Sequence, residues 1–253
     1  MAMSAGVRHI MHIKKTLLEH YSLFKDDPIL SLDRLSSQGY CNDNYLASTL
    51  SHKQYLIRHF NQQGIDRRSE YRLQRLAGKK QLTAKPYFLD LSNDIMVTEF
   101  LSEGTHRKRL ARYDLHHLAL TVYKLHKLRF RAHRFNPRRS LVIKGKKLRN
   151  AVRCAERSAN DDVLSHNDLN PLNILFGNRV KVIDWEYASI NDRYFDLASV
   201  CEEFRLKRAD EIYFLKRYFR HKVKIDQKKL EAYKIIYRSL CEQWFDINTP
   251  PSL

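Results

Sequence analysis

Glycine and proline are scarce in this chain, seven and six among 253 residues. So few glycines leave no Gly-x-x-x-x-Gly-Lys loop and no Gly-x-Gly-x-x-Gly loop, so any phosphate-binding backbone must be built another way. Cysteine is also thin. Cys41, Cys154, Cys201 and Cys241 lie far apart, with no Cys-x-x-Cys pair and no Cys/His pattern at metal spacing. That argues against zinc and reads as reduced thiols in a cytoplasmic compartment. No run approaches the roughly 18 apolar residues of a membrane-spanning helix. The first residues lack a continuous apolar stretch, so no secretory signal is expected. Acidic residues form the last shortfall: 28 Asp and Glu stand against 46 Lys and Arg, a net charge of +18 with a pI near 9.8. Such a field attracts polyanions, including nucleotides, nucleic acid and anionic membranes. The basic residues read as a solvated surface without an aromatic-interleaved RNA-binding motif, so nucleic acid is expected only as an incidental partner.

What is present suits a globular protein with a substantial core: 43% of residues are hydrophobic and 11% aromatic. Ile10, Ile13, Leu17, Leu18 and Tyr21 follow helical spacing and predict one amphipathic helix over residues 9–24. Residues 29–44 read as strand, loop and strand, with Gly39, Asn42 and Asn44 in the connection. Two β-rich runs, 44–50 and 54–60, flank a turn at Ser51-His52-Lys53, and residues 66–77 are helix-like. Strand candidates 86–91 and 95–101 follow. From Leu110 a stripe of Leu115, Leu118, Val122, Leu125 and Leu128 predicts a helix, then a basic loop over 129–149 and a helix over 146–158. His116, His117 and His126 read as helix-surface or core residues, because no acidic partner lies at ligand spacing.

The chain is organised around residues 163–186. A short apolar run leads into a polar loop holding Asp168 and Asn173. Two β-rich runs hinged at Gly177-Asn178 then finish at Asp184, a hairpin signal. This arrangement predicts that three oxygen-bearing side chains, Asp168, Asn173 and Asp184, reach one end of a hairpin. Mg²⁺ takes oxygen ligands and keeps several waters, so a carboxylate, an amide and substrate phosphates are enough to hold it. A separate carboxylate is then left to orient a hydroxyl and accept its proton.

His166-Asn167-Asp168-Leu-Asn-Pro-Leu-Asn173-Ile-Leu, followed by Ile183-Asp184-Trp185-Glu186-Tyr-Ala-Ser-Ile-Asn-Asp-Arg-Tyr-Phe-Asp196-Leu-Ala, resembles the choline/ethanolamine kinase family, a branch of the protein-kinase-like superfamily. The resemblance is dense over residues 163–204 and sparser upstream. It implies an α+β, bilobal protein-kinase-like fold: a small antiparallel β-sheet lobe binding nucleotide (1–98) and a mainly helical lobe for catalysis and acceptor binding (99–253). It implies ATP and Mg²⁺, with Asp168 as base and Asn173 and Asp184 as metal ligands. Gly39, Asn42 and Asn44 fall where the family covers the phosphates. Arg58 stands where kinases place the phosphate-binding strand lysine, and Glu70 stands where its helix partner lies. Backbone groups of Glu99, Phe100 and Leu101 are expected to receive adenine at the crossing between lobes, and Asp196 to anchor the catalytic loop. For a quaternary ammonium acceptor, which needs carboxylates and aromatic faces, the candidates are Glu186, Glu202, Glu203, Tyr237, Glu242 and Trp244. The expected activity is transfer of the ATP γ-phosphate to choline or ethanolamine. Thiamine, aminoglycoside or sugar kinases, and a silent kinase-fold module binding nucleic acid or membrane, remain as alternatives.

Overall fold

Alternating burial along residues 42–49, with Tyr45, Ala47 and Thr49 inward, makes a half-buried strand of the segment that opens the central hairpin. The structure, a computed structural model, describes residues 13–36, 42–222 and 224–248. Two compact units emerge. Of the described residues, the first comprises 13–36, 42–71 and 85–101, and the second 72–84, 102–222 and 224–248.

In the first unit the single helix expected over 9–24 is two short ones within the described residues, α1 (Lys15–Glu19) and α2 (Ser22–Lys25). Tyr21 separates them in an extended conformation. Its ring packs on Phe88 at 4.3 Å and its hydroxyl donates to Asp90 at 2.5 Å. These contacts with the sheet override the helical periodicity. The strands β1 (Ile29–Arg34), β2 (Asn42–Thr49) and β3 (Gln54–Phe60) are followed by helix α3 (Arg67–Lys79), then β4 (Pro86–Asp90) and β5 (Ile95–Glu99). They form an antiparallel sheet in the order β1-β2-β3-β5-β4. Its core contains Leu18, Phe24, Tyr45, Tyr55, Ile57 and Val97. The β2–β3 turn holds His52 at φ 61° and is fastened to Asp27 through Ser51.

The second unit takes the later residues of α3 and continues with α4 (Arg112–Leu125), α5 (Pro137–Ser140) and α6 (Gly145–Arg157). Strands β6 (Asp162–Ser165), β7 (Ile174–Phe176), β8 (Val180–Val182) and β9 (Ser189–Asp192) precede helices α7 (Arg193–Glu203), α8 (Arg208–Tyr218) and α9 (Gln227–Asn248). β7 and β8 form the hairpin expected around Gly177, and β6 pairs antiparallel with β9. The predicted stripe of α4 is buried, with Leu115, Leu118, Val122 and Leu125 joining Trp185, Phe195, Phe214 and Leu230 in one core. Among the described residues no helix is long and apolar enough to cross a membrane.

Candidate active site

The loop after β6 is positioned by buried polar groups. Asp196, in the first turn of α7, is fully buried. Its carboxylate accepts from the backbone amides of His166 and Asn167, both at 2.8 Å. It also accepts from Nε2 of His126 at 2.9 Å, and the Tyr218 hydroxyl meets Nδ1 of that ring at 2.7 Å. A buried carboxylate is tolerated only when so satisfied. Asn167 adopts φ 68°, a region that Asn enters more readily than most residues. Its amide donates to the Tyr187 carbonyl (2.8 Å) and the Ser189 hydroxyl (2.6 Å), and its oxygen accepts from Asn191 (2.8 Å). The loop is thereby stapled to β9.

Asp168 is the next residue out. Its carboxylate accepts from Asn170 at 2.8 Å and from Asn173 Nδ2 at 2.6 Å. The side-chain oxygen of Asn170 in turn caps the amides of Leu172 and Asn173. Asp168 keeps one edge in solvent while most of its surroundings are protein. Burial pushes its pKa up to about 6, with the nearby charges of Asp184 and Glu203 adding to the rise and the Asn170 and Asn173 hydrogen bonds opposing it. A carboxylate so placed takes up a proton near neutral pH, as a general base must.

The hairpin carries the other two groups. Asn173 sits one residue before β7, and the Ile183 amide donates to its carbonyl at 2.9 Å, which brings the residue before Asp184 alongside it. Asp184 has φ 65°. Its neighbours are clamped: His166 Nε2 donates to the Ile183 carbonyl at 3.1 Å, and Trp185 Nε1 donates to Thr83 and to the Val182 carbonyl. Burial lowers the His166 pKa, so the ring is a neutral spacer. With Asn173 Nδ2 committed to Asp168, its Oδ1 is the atom left for a hard cation. Among the described residues no cluster of three His, Cys, Asp or Glu side chains can hold a metal alone. One carboxylate, one amide oxygen and phosphate oxygens match the sparse protein ligation typical of Mg²⁺, and this donor set fits that ion.

Among the residues expected at an acceptor, the structure sorts neighbours apart. Tyr237 is buried and donates to Glu203 at 2.8 Å, and both Glu203 and Asp168 act on the Tyr237 hydroxyl electrostatically. Glu202 instead meets Arg238 at 3.3 Å. Trp244 is half-buried with its ring edge-on to Phe245, and Glu186 is half-buried two residues after Asp184. Cys241, half-buried beside Tyr237, has its thiol pushed up to about 11 by burial.

In the first unit Arg58 and Glu70 meet, Nη1 to Oε1 at 2.9 Å, and a second guanidinium, Arg67, bonds the other carboxylate oxygen at 2.8 Å. Phe60 lies under both cations. Asn44 pairs in register with Arg58 and Asn42 with Phe60, so both open β2 as strand residues where the sequence suggested a loop. Gly39 lies outside the described residues. The Glu99 amide donates to the Lys85 carbonyl and the Phe100 amide to Gln54, which leaves the Leu101 amide without a hydrogen bond among the described residues. Sequence reasoning missed Asn170 and Arg67, although Asp-x-Asn turn spacing and the i, i+3 offset from Glu70 were both visible.

The family model described as the phosphotransferase enzyme family matches residues 34–233. The chain belongs to that family. Its fold is that of the structure of choline kinase LicA from Streptococcus pneumoniae, with TM-score 0.75 at 22% identity over 92% of this chain and 90% of that one. A structure of LicA in complex with AMP matches with TM-score 0.74 and 25% identity, covering 94% and 91%. The protein LicA of Haemophilus influenzae is 32% identical over 87 residues, 31% of this chain and 33% of that protein, so the match spans about a third of that curated relative. The chain is thus a member of the phosphotransferase enzyme family with an α+β, protein-kinase-like fold.

Proposed function

We propose that this phosphotransferase moves the γ-phosphate of ATP to the hydroxyl of choline or ethanolamine in the cytoplasm. The observation that carries the reading is the Asp168–Asn173 contact beside Asp184, on a loop whose backbone is pinned to Asp196. Asp168 orients the acceptor hydroxyl and takes its proton as the oxygen attacks phosphorus. Asn173 Oδ1 and Asp184 would hold Mg²⁺, which when bound neutralises charge on the phosphate oxygens. Arg58, fixed by Glu70, steadies the nucleotide phosphates as a donor that never loses its charge. The Leu101 amide, the one of the three expected backbone amides left uncommitted, faces the adenine edge together with neighbouring carbonyls. Asn42 and Asn44, at the start of β2, are assigned to the phosphates.

The acceptor cation is held by Glu203 with Tyr237, which interact electrostatically with Asp168, and Glu186 and Trp244 are the further carboxylate and aromatic candidates. Glu202, engaged with Arg238, takes a lesser part. An ADP-release assay with MgATP against choline, ethanolamine, thiamine and aminoglycosides tests the reading. Turnover is expected with choline or ethanolamine. Asp168→Asn should reduce it by about 10²–10⁴-fold while ATP binding survives. Unchanged turnover in that variant would falsify the assigned base, and turnover on an aminoglycoside alone would replace the acceptor.

A further inference from the structure

The positive surplus of the chain is concentrated. Residues 129–157 hold 11 Lys or Arg against Glu156 alone, more than half of the net charge of +18. All 11 are exposed. Arg138 is paired with Glu156 and Arg134 with Asp162. The other nine make no ion pair among the described residues.

Helix stability does not explain this arrangement. α6 opens with Lys146 and Lys147 in its first turn and no acidic residue there, with Lys144 as an N-cap that makes no side-chain bond. Cations at that end oppose the helix dipole. Arg149 and Arg153 lie four apart on the same face, a spacing at which like charges repel. Beside them an open cleft of about 320 Å³ is lined by Arg138, Ile143, Arg149, Val152 and Arg153.

Exposed apolar groups border the same face. Val142 is 60% exposed, and it exchanges two backbone hydrogen bonds with the Gln243 side chain, at 2.8 and 3.0 Å. This fastens the end of α9 alongside, where Ile247, one turn after Gln243 on the same helix face, is 81% exposed. Cations interspersed with protruding aliphatic groups are the composition of a membrane-interface surface. A single-stranded nucleic acid would instead want free ring faces to stack its bases. Both aromatic rings inside the basic segment are already engaged: Phe130 under Arg72, and Phe135 against Phe195 at 5.2 Å.

We propose that this face docks on an anionic phospholipid surface. The cleft of Arg149 and Arg153, beside the Glu156-paired Arg138, seats a lipid phosphate, and Val142 and Ile247 enter the headgroup layer.

Vesicle co-sedimentation of the full chain tests it, using phosphatidylcholine with and without a fraction of phosphatidylglycerol. Binding is expected only to the anionic vesicles and should weaken with salt. Arg149→Gln/Arg153→Gln should weaken it by about 30-fold, from the attraction each basic side chain contributes near such a surface. Val142→Asp/Ile247→Asp should remove the part that persists at high salt. ADP release with a soluble acceptor should be unchanged in both double variants, showing that they fold. Equal binding to neutral vesicles, or indifference to both pairs of substitutions, overturns the proposal. So does full release by inorganic phosphate matched to the lipid phosphate concentration, which would make the cleft a site for small phosphates. Tighter binding of transfer RNA than of vesicles, with Val142→Asp/Ile247→Asp harmless, overturns it in favour of nucleic acid.

Discussion

Asp168 carries a stability cost when it ionises. Its folded pKa near 6 lies above the ordinary carboxylate value of 3.8, so the folded state binds the proton more tightly than the unfolded chain does. The favourable contribution is present below about pH 4 and is lost as the pH rises through about 6. Asp168→Asn removes the ionisation and keeps much of the shape. We therefore expect Asp168→Asn to be more stable than the parent at pH 8 by about 1–2 kcal/mol, the partial exposure of the residue reducing the full effect. The gain should vanish at pH 4. Thermal melts at the two pH values check this, and an equal gain at both would show that the carboxylate is not strained by ionisation. Asp196 is the opposite case, a buried acceptor of three hydrogen bonds. Asp196→Ala orphans two buried amides and should destabilise the protein by about 3 kcal/mol or more in urea unfolding.

At the level of elements, α3 and β3 share one carboxylate between two guanidinium groups. Removing the carboxylate and removing one cation are therefore unequal. Glu70→Ala leaves both Arg58 and Arg67 buried without it and should cost about 3–5 kcal/mol. Arg58→Met leaves Glu70 still bonded to Arg67 and should cost about 1–2 kcal/mol in urea unfolding while weakening nucleotide binding. Equal losses would mean that the two arginines are not competing for one partner. The β7–β8 hairpin depends on close backbone approach. A Cβ at Gly104 would stand 2.8 Å from Leu175 Cβ, and one at Gly177 would stand 3.0 Å from the Glu103 carbonyl oxygen. Gly104→Ala should lower stability by about 1–3 kcal/mol and lower turnover with it, since the strand that follows Asn173 must shift. The hairpin itself was legible from its apolar alternation and its Gly-Asn step. The break between α1 and α2 was not, because it is made by a ring and a carboxylate on β4.

For the molecule as a whole, a net charge of +18 opposes compaction through self-repulsion. Raising salt from about 10 mM to about 300 mM shortens the screening length several-fold and should raise the melting temperature by a few degrees. A fall in melting temperature would mean that the many exposed ion pairs, such as Arg138–Glu156, outweigh the repulsion.

The order of the pieces was written in the chain: a half-buried strand pattern, a polar loop of Asp168 and Asn173, a hairpin, and Asp184 after it. Local chemistry decides these, because turn residues, alternation and oxygen ligands act over a few neighbouring positions. Which of two adjacent glutamates meets Tyr237 was decided only by tertiary structure. Successive helix residues point about 100° apart, so the packing of α7 against α9 turns Glu203 toward Tyr237 and gives Glu202 to Arg238. The raised pKa of Asp168 has the same origin, since burial and the charges of Asp184 and Glu203 come from residues distant in sequence.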